Sequence, residues 1–143
     1  MEKHHQSCVC FNLRKAARVI TQIYDEAMRP LGFRSTQLTI LHTVKSMEPV
    51  TVSQLAQATL TDRTTLTRNF KPLEKKGYLL IQSGEDRRER VVVLTGKGRK
   101  ILLKAYPLWE KAQQKIVRTV GSSRLNQLLK ELSDVMLVVQ KKR

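Results

Sequence analysis

Apolar residues at Leu13, Ala16, Ala17, Ile20, Ile23, Tyr24, Ala27, Met28 and Leu31 recur at three- and four-residue intervals, the period of one helix face. Pro30 and Gly32 end the pattern, and Arg14, Lys15, Arg18, Gln22 and Asp25 fill the other side. A long amphipathic helix is predicted, with its apolar face on the chain's own core or on a partner's. A shorter stripe through Leu38, Ile40, Leu41 and Val44 predicts a second helix, capped by Ser35 or Thr36 and stopped before Glu48 and Pro49. The stretch TVSQLAQAT then places Thr51 and Gln54 at capping-box spacing, with Val52, Leu55 and Ala56 facing inward.

Thr59 to Asp62 make a polar turn into the next pattern. With Leu66 at zero and 100° per residue, Leu66, Phe70 and Leu73 form one stripe, and Thr64, Thr67, Arg68, Lys71 and Lys75 lie opposite. One face suits a core and the other suits water or phosphate. Two short helices joined by a brief polar turn have helix-turn-helix geometry, in which the first packs and the second reads. Pro72 lacks an N–H and crowds the carbonyl of Arg68, so a bend or a short 3₁₀ turn is expected there, leaving Arg63 to Lys71 as the reading segment.

Gly77 is a candidate helix terminator. Tyr78 to Gln82 and Glu89 to Leu94 read as strands joined by the charged turn Ser83 to Arg88. Thr95 can cap a helix through Ile101 and Leu102, with Pro107 expected to break or bend it before the stripe resumes at Leu108, Ala112, Ile116 and Val117. After Gly121, Ser122 or Ser123 can cap a last helix carrying Leu125, Leu128, Leu129, Leu132, Val135, Met136 and Val139. So wide an apolar stripe needs cover, which the first helix and another subunit can supply. The expectation is a homodimer in which N- and C-terminal helices interlock, against the alternative of an intramolecular bundle.

Composition sharpens this picture. The 143 residues amount to one domain's length, with 27 Lys and Arg against 12 Asp and Glu, a net charge of +15. Residues 62–104 alone carry 12 basic and 5 acidic groups, more excess than the 7 and 4 before them or the 8 and 3 after them. The charge thus clusters on the reading helix and the hairpin, which points to double-stranded DNA. No run of about 18 apolar residues is present and the N-terminal residues lack a signal-type apolar core, so no membrane association and a cytoplasmic location are expected.

The remaining candidate chemistry is sparse. His4, His5, Cys8 and Cys10 are the concentrated soft ligands. The two cysteines can be silent, can respond to an oxidant, or can chelate a metal from an extended segment. Arg14, Lys15 and Arg18 lie near enough in sequence to favour a thiolate. His42, on an apolar helix, reads as a packed core histidine. There is no Gly-rich phosphate loop and no nucleophile with a partner set, so neither an enzyme nor a cofactor is expected.

The segments TQLTILHTV, VTVSQLAQ, LTRNFKPLEKKGYL and DRRERVVVLTGKG, in that order, resemble the multiple antibiotic resistance regulator (MarR) family over about residues 10 to 140. The resemblance implies a mainly α fold with a small β wing in a single domain, residues 1–143. The winged helix-turn-helix would span about 33–98, and dimerisation helices about 10–31 and 99–141. It also implies a homodimeric regulator, a repressor, on pseudo-palindromic operator DNA, relieved by a small aromatic or anionic effector or by oxidation. By position Arg63, Thr64, Thr65, Thr67, Arg68 and Lys71 would serve the major groove. Asp86, Arg87, Arg88 and Arg90 fall in the family's wing motif, where an Arg enters the minor groove and the Asp holds the loop by pairing with an Arg. The roles of Arg87 and Arg88 are not apportioned by the resemblance. A charge-driven architectural DNA-binding protein with little sequence preference is the alternative, motivated by positive charge in all three segments.

Overall fold

The computed structural model describes residues 6–140, with side chains described through Val138. It forms two compact units, one running to Trp109 and the other beginning at Glu110. Helix α1 (Val9–Met28) starts four residues before Leu13, with Cys8 at its N-cap. Asn12 anchors that first turn by donating its side-chain amide to the Cys8 carbonyl at 2.9 Å. A short 3₁₀ turn, Arg29–Leu31, follows and ends at Gly32, whose φ of 69° is left-handed.

Helix α2 (Ser35–Met47) begins one residue away from expectation, because Arg34 rather than Ser35 or Thr36 is its N-cap. The acceptor comes from another element: Asp25 of α1 takes both the N–H and the hydroxyl of Ser35, at 2.8 and 2.7 Å. Strand β1 (Val50–Thr51) is an addition to the predicted elements. Two residues are too few for an alternation to register in sequence. It pairs antiparallel with β3 (Arg90–Leu94), Val50 opposite Val92, and β3 pairs in turn with β2 (Leu79–Ser83) from Leu79↔Leu94 to Ser83↔Arg90. The sheet order is therefore β1-β3-β2.

Helices α3 (Val52–Ala58) and α4 (Arg63–Lys75) pack on this sheet through Leu55, Leu66, Phe70 and Leu73, all buried together with Leu41, Val44, Leu79 and Val92. The 3₁₀ turn expected at Pro72 is absent and α4 stays helical to Lys75. The missing N–H affects only the carbonyl of Arg68, which lies on the exposed face where water can satisfy it. The end of α4 is closed by Gly77 at φ 72°. The Gly77 N–H donates to Glu74 O at 2.8 Å and the Tyr78 N–H to Leu73 O at 2.9 Å, the paired bonds of a Schellman motif.

Thr95 starts α5 (Gly96–Val120) and ties it to that same point. Its hydroxyl accepts from the Gly98 N–H at 2.9 Å and donates to the Gly77 carbonyl at 2.6 Å, while its own N–H donates to Tyr78 O at 3.1 Å. The helix approaches so closely that a Cβ on Gly98 would stand 2.0 Å from the Tyr78 carbonyl oxygen. Glu48 braces the other side, accepting from the Leu94 N–H at 2.7 Å and pairing with Arg99 at 2.6 Å. Pro107 lies inside α5 without interrupting it.

In the second unit, Gly121 with φ 91° precedes α6 (Ser122–Gln140) and its carbonyl accepts from the Leu125 N–H at 2.9 Å. Gly121 thus holds the position expected for Ser122 or Ser123. Ala112, Ile116 and Leu125 are buried there, while Leu128, Leu129, Val135 and Met136 of the predicted stripe stay exposed.

The two early glycines of α5 should behave oppositely when given a methyl group. Gly98→Ala drives the methyl into backbone and is expected to cost about 3 kcal/mol or more, near the upper range for overpacking. Gly96→Ala meets nothing within 4 Å and should be neutral or stabilising by up to about 1 kcal/mol. Urea denaturation of both variants checks the contrast.

Candidate nucleic-acid interface

The helix-turn-helix is fixed by side chains acting on backbone. Thr51 and Gln54 form the expected capping box on α3: the Gln54 N–H donates to Thr51 Oγ1 at 3.1 Å, and the Thr51 N–H to Gln54 Oε1 at 2.9 Å. In the turn, the Thr59 hydroxyl donates to Leu55 O at 2.8 Å and the Thr61 N–H to Ala56 O at 3.0 Å. Leu60 between them adopts φ 50° with its side chain half exposed, a left-handed conformation that residue type rarely takes. Sequence pattern carries no sign of it.

Asp62 caps the reading helix, its Oδ1 accepting from the Thr65 N–H at 2.8 Å. The Thr65 side chain first, and then its N–H, holds the carboxyl below the usual carboxylate range. Asp62 was no part of the expected site, although Asp immediately before an apolar-periodic run is a recognisable capping signal. Of the six expected groove residues, Arg63, Thr64, Thr67, Arg68 and Lys71 are exposed, and Thr65 is half-buried at the cap. Leu66, Phe70 and Leu73 are buried on the opposite side. The side opposite them therefore carries Arg68, Lys71 and two hydroxyls, with Arg63 exposed at the first position, on a helix whose orientation is fixed by its core face.

The wing follows. From Glu85 to Arg90 every residue is exposed. Asp86 holds the turn through backbone: its Oδ1 accepts from the Arg88 N–H at 2.9 Å and its carbonyl from the Glu89 N–H at 2.9 Å. The resemblance had implied pairing with an Arg side chain. A carboxylate two residues before a backbone N–H closes a tight turn by itself, and the guanidinium groups of Arg87, Arg88 and Arg90 form no ion pair among the described residues.

A separate concavity of about 370 Å³ lies within the first unit, lined by Tyr24, Ser35, Leu38, Thr39, His42 and Tyr106 together with Trp109. His42 is exposed here and not packed in the core as expected. Its Nδ1 and the Tyr106 hydroxyl share a hydrogen bond of 3.1 Å, with the rings edge to face, and Lys45 Nζ sits 5.2 Å from the Tyr106 ring centre. Burial pushes the Tyr24 phenol upward, so it stays neutral.

Cys8 and Cys10 are both exposed thiols, one at the cap of α1 and one in its first turn, where no extended chelating segment exists. Among the described residues no group of three or more His, Cys, Asp or Glu could hold a metal. His4 and His5 lie outside the described residues.

A capped reading helix on a three-stranded wing is the construction of a winged helix-turn-helix DNA-binding protein. The model of the MarR family matches residues 31–89. The M. tuberculosis transcriptional regulator MosR in complex with DNA is 34% identical over 96% of this chain and 99% of its own, with a TM-score of 0.86. On these likenesses the chain belongs to the MarR family of transcriptional regulators. The HTH-type transcriptional regulator YwoH of Bacillus subtilis is 32% identical over 62% of this chain, which spans just 64% of YwoH's length. The transcriptional repressor CouR, bound to a 23-mer DNA duplex, is 19% identical with a TM-score of 0.84, a likeness of fold. No helix among the described residues is long and apolar enough to cross a membrane.

The lowered pKa of Asp62 sets the sign of a pH effect. Stabilisation from the ionised cap is complete above the ordinary carboxylate pKa and is lost as pH falls through the lower folded-state value. Asp62→Asn should therefore melt below wild type near neutral pH, with the gap narrowing as pH falls below the ordinary carboxylate range. Thermal melts across that range check it, and a gap independent of pH would show that ionisation contributes nothing.

Proposed function

We propose that the protein is a homodimeric repressor that reads a pseudo-palindromic operator with α4 and grips the flanking minor groove with the wing. The observation that carries this reading is the exposed set Thr64, Thr67, Arg68 and Lys71 on the side of α4 opposite its buried stripe, with Arg63 exposed at the helix's first position. Arg can bond guanine O6 and N7 bidentately, and Thr offers a hydroxyl and a methyl to base edges. In the wing, Arg87, Arg88 and Arg90 are free to reach a narrow minor groove, whose negative potential favours an inserted Arg. Thr65 contributes through the helix cap and Asp86 through the shape of the wing turn. That MosR has been crystallised in complex with DNA supports the same use of the fold.

The dimer is supported by apolar faces that the single chain leaves open. Only Met28 of α1 is buried, and Val9, Phe11, Leu13, Val19 and Ile20 are exposed. On α6, Val138 is 64% exposed and Leu129 50%. A two-fold pair would set two reading helices about 34 Å apart, one turn of duplex. Relief of repression has two candidate sites: the aromatic concavity beside His42, suited to a small aromatic or anionic molecule, and the exposed thiols of Cys8 and Cys10. The charge of +15 keeps the architectural alternative in view. Footprinting against random competitor DNA separates the two, and protection without sequence preference would overturn the repressor.

Arg68→Ala is expected to lose about 1 to 3 kcal/mol of discrimination at one base position, measured by gel shift on a set of single-base operator variants. Arg87→Ala with Arg88→Ala should weaken binding at all sequences alike and reduce the salt slope by about two. For the thiols, peroxide should release DNA from the wild type and leave Cys8→Ser, Cys10→Ser bound. Release from the double variant as well would remove the thiols from the mechanism.

A further inference from the structure

The basic groups of the first unit are not confined to the reading helix and wing. Past the far end of α4, about 21 Å from its cap by helix rise, Lys76 donates a hydrogen bond to the carbonyl of Gly32. Lys97 Nζ lies 5.4 Å over the ring of Tyr78, and that ring meets Phe33 edge-on at 6.5 Å. These contacts bring the start of α5 beside the loop between α1 and α2. There Arg29, Arg34 and Lys76 line a polar cleft of about 850 Å³. Lys100 and Lys104, both exposed, follow Lys97 at steps of three and four, so the three ammonium groups share one side of α5.

A solvated face ordinarily mixes both signs, and this one does so only weakly. Asp25 and Glu26 also line the cleft, but Asp25 is occupied by Ser35. Arg99, which steps off that side of α5, is the cation with a carboxylate partner, and its pair with Glu48 is the only salt bridge among the described residues. Five of these cations are exposed and Lys76 is half-buried against Gly32, and none of the six has a carboxylate in ion-pair range among the described residues. They also lie near the end of the hairpin opposite the wing turn. The wing turn follows Ser83↔Arg90, whereas Tyr78 and Thr95 flank the Leu79↔Leu94 pair at the other end of the hairpin, about 13 Å away at strand rise.

We propose that Arg29, Arg34, Lys76, Lys97, Lys100 and Lys104 form a second phosphate-binding surface, which takes the backbone of a duplex segment other than the one read by α4 and so lets the protein bridge two DNA segments. The proposal rests on α4 and the wing being the operator-reading face. Ammonium groups spaced by about 4.5 and 6 Å of helix rise suit a line of phosphates, where contact carries affinity without sequence information. A membrane surface would call for an apolar set inserted beside the charges, and Leu103 is the one large exposed apolar residue on this stretch of α5.

The test uses the full chain and two duplexes. A biotinylated duplex selected from a random pool is immobilised, saturated with protein and washed. A labelled 40-bp duplex of scrambled sequence is then offered at about 0.1 M salt. Wild type should capture it. The variant Arg34→Gln, Lys100→Gln, Lys104→Gln removes three exposed charges and leaves the start of α2 in place, because the Arg34 bond there is its backbone N–H donating to Gln37 Oε1 at 3.0 Å. It should bind the selected duplex within twofold of wild type, capture the second duplex at least tenfold less, and lower the salt slope of that capture by about 2.7. Lys97→Gln, Lys100→Gln, a second variant, should show the same separation to a smaller degree. Unchanged capture, or selected-duplex affinity falling in step with capture, overturns the proposal. So does charge-dependent binding to phosphatidylglycerol vesicles without duplex capture. Failure of wild type to hold any selected duplex overturns the operator-reading function itself, and this surface with it.

Discussion

The close approach of α5 to the backbone at Gly77 and Tyr78 is the constraint from which the rest of the reading lobe takes its geometry. Thr95 donates to both carbonyls there, and Gly98 permits the contact because it carries no side chain. Gly77 is also the left-handed residue that ends α4. One point in space therefore sets three directions: where the reading helix stops, where β2 departs toward the wing, and where the long helix begins. A shift there would move the wing relative to α4. Glu48 reinforces the junction by joining the end of α2 to the end of β3 and to Arg99.

Much of this was legible in the sequence because its devices are local. The Thr51 and Gln54 capping box, the glycine after Lys76, and the charged turn between two apolar strands each declare themselves within a few residues, and the structure places all three as expected. What was illegible is what one element does for another. Arg34 stands at the N-cap of α2, and both donors of Ser35 go to Asp25, ten residues earlier on α1. His42 leaves the core because Tyr106, 64 residues later, offers it a partner at the surface. β1 is defined by its neighbour Val92 and by nothing in its own two residues. Pro72 misled for a related reason: its penalty depends on whether the freed carbonyl is buried, and helical phase puts Arg68 in the open.

The same distinction between local and relational information separates affinity from specificity. A positive surface attracts phosphate wherever it points, and its strength falls with salt by counterion release. Discrimination between bases requires that particular donors stand at particular heights in a groove, which demands a helix that neither frays nor rotates. In this chain the buried stripe of Leu66, Phe70 and Leu73 fixes rotation, Asp62 fixes one end and the Schellman turn the other. The reading helix is held at both ends and along one side before any nucleic acid arrives, so little of its ordering remains to be done on binding.

The open apolar side of α1 has a bearing on control. Tyr24 on α1 and Leu38 and His42 on α2 line the same concavity, and α2 in turn packs with α3 and the sheet that carry the reading helix. If α1 is a dimer helix, as proposed, a molecule in this concavity stands between the element that sets the distance across the pair and the element that positions each reader. It need not touch DNA to alter binding. It needs only to favour one spacing of α1 and α2 over another, and the gain in its own affinity for that spacing is the largest change in operator affinity it can produce. A pocket rimmed by Tyr24, Tyr106 and Trp109 offers large contact areas on rigid side chains, so under that proposal a displacement of α1 would be costly to an aromatic occupant and would supply the differential binding that coupling requires.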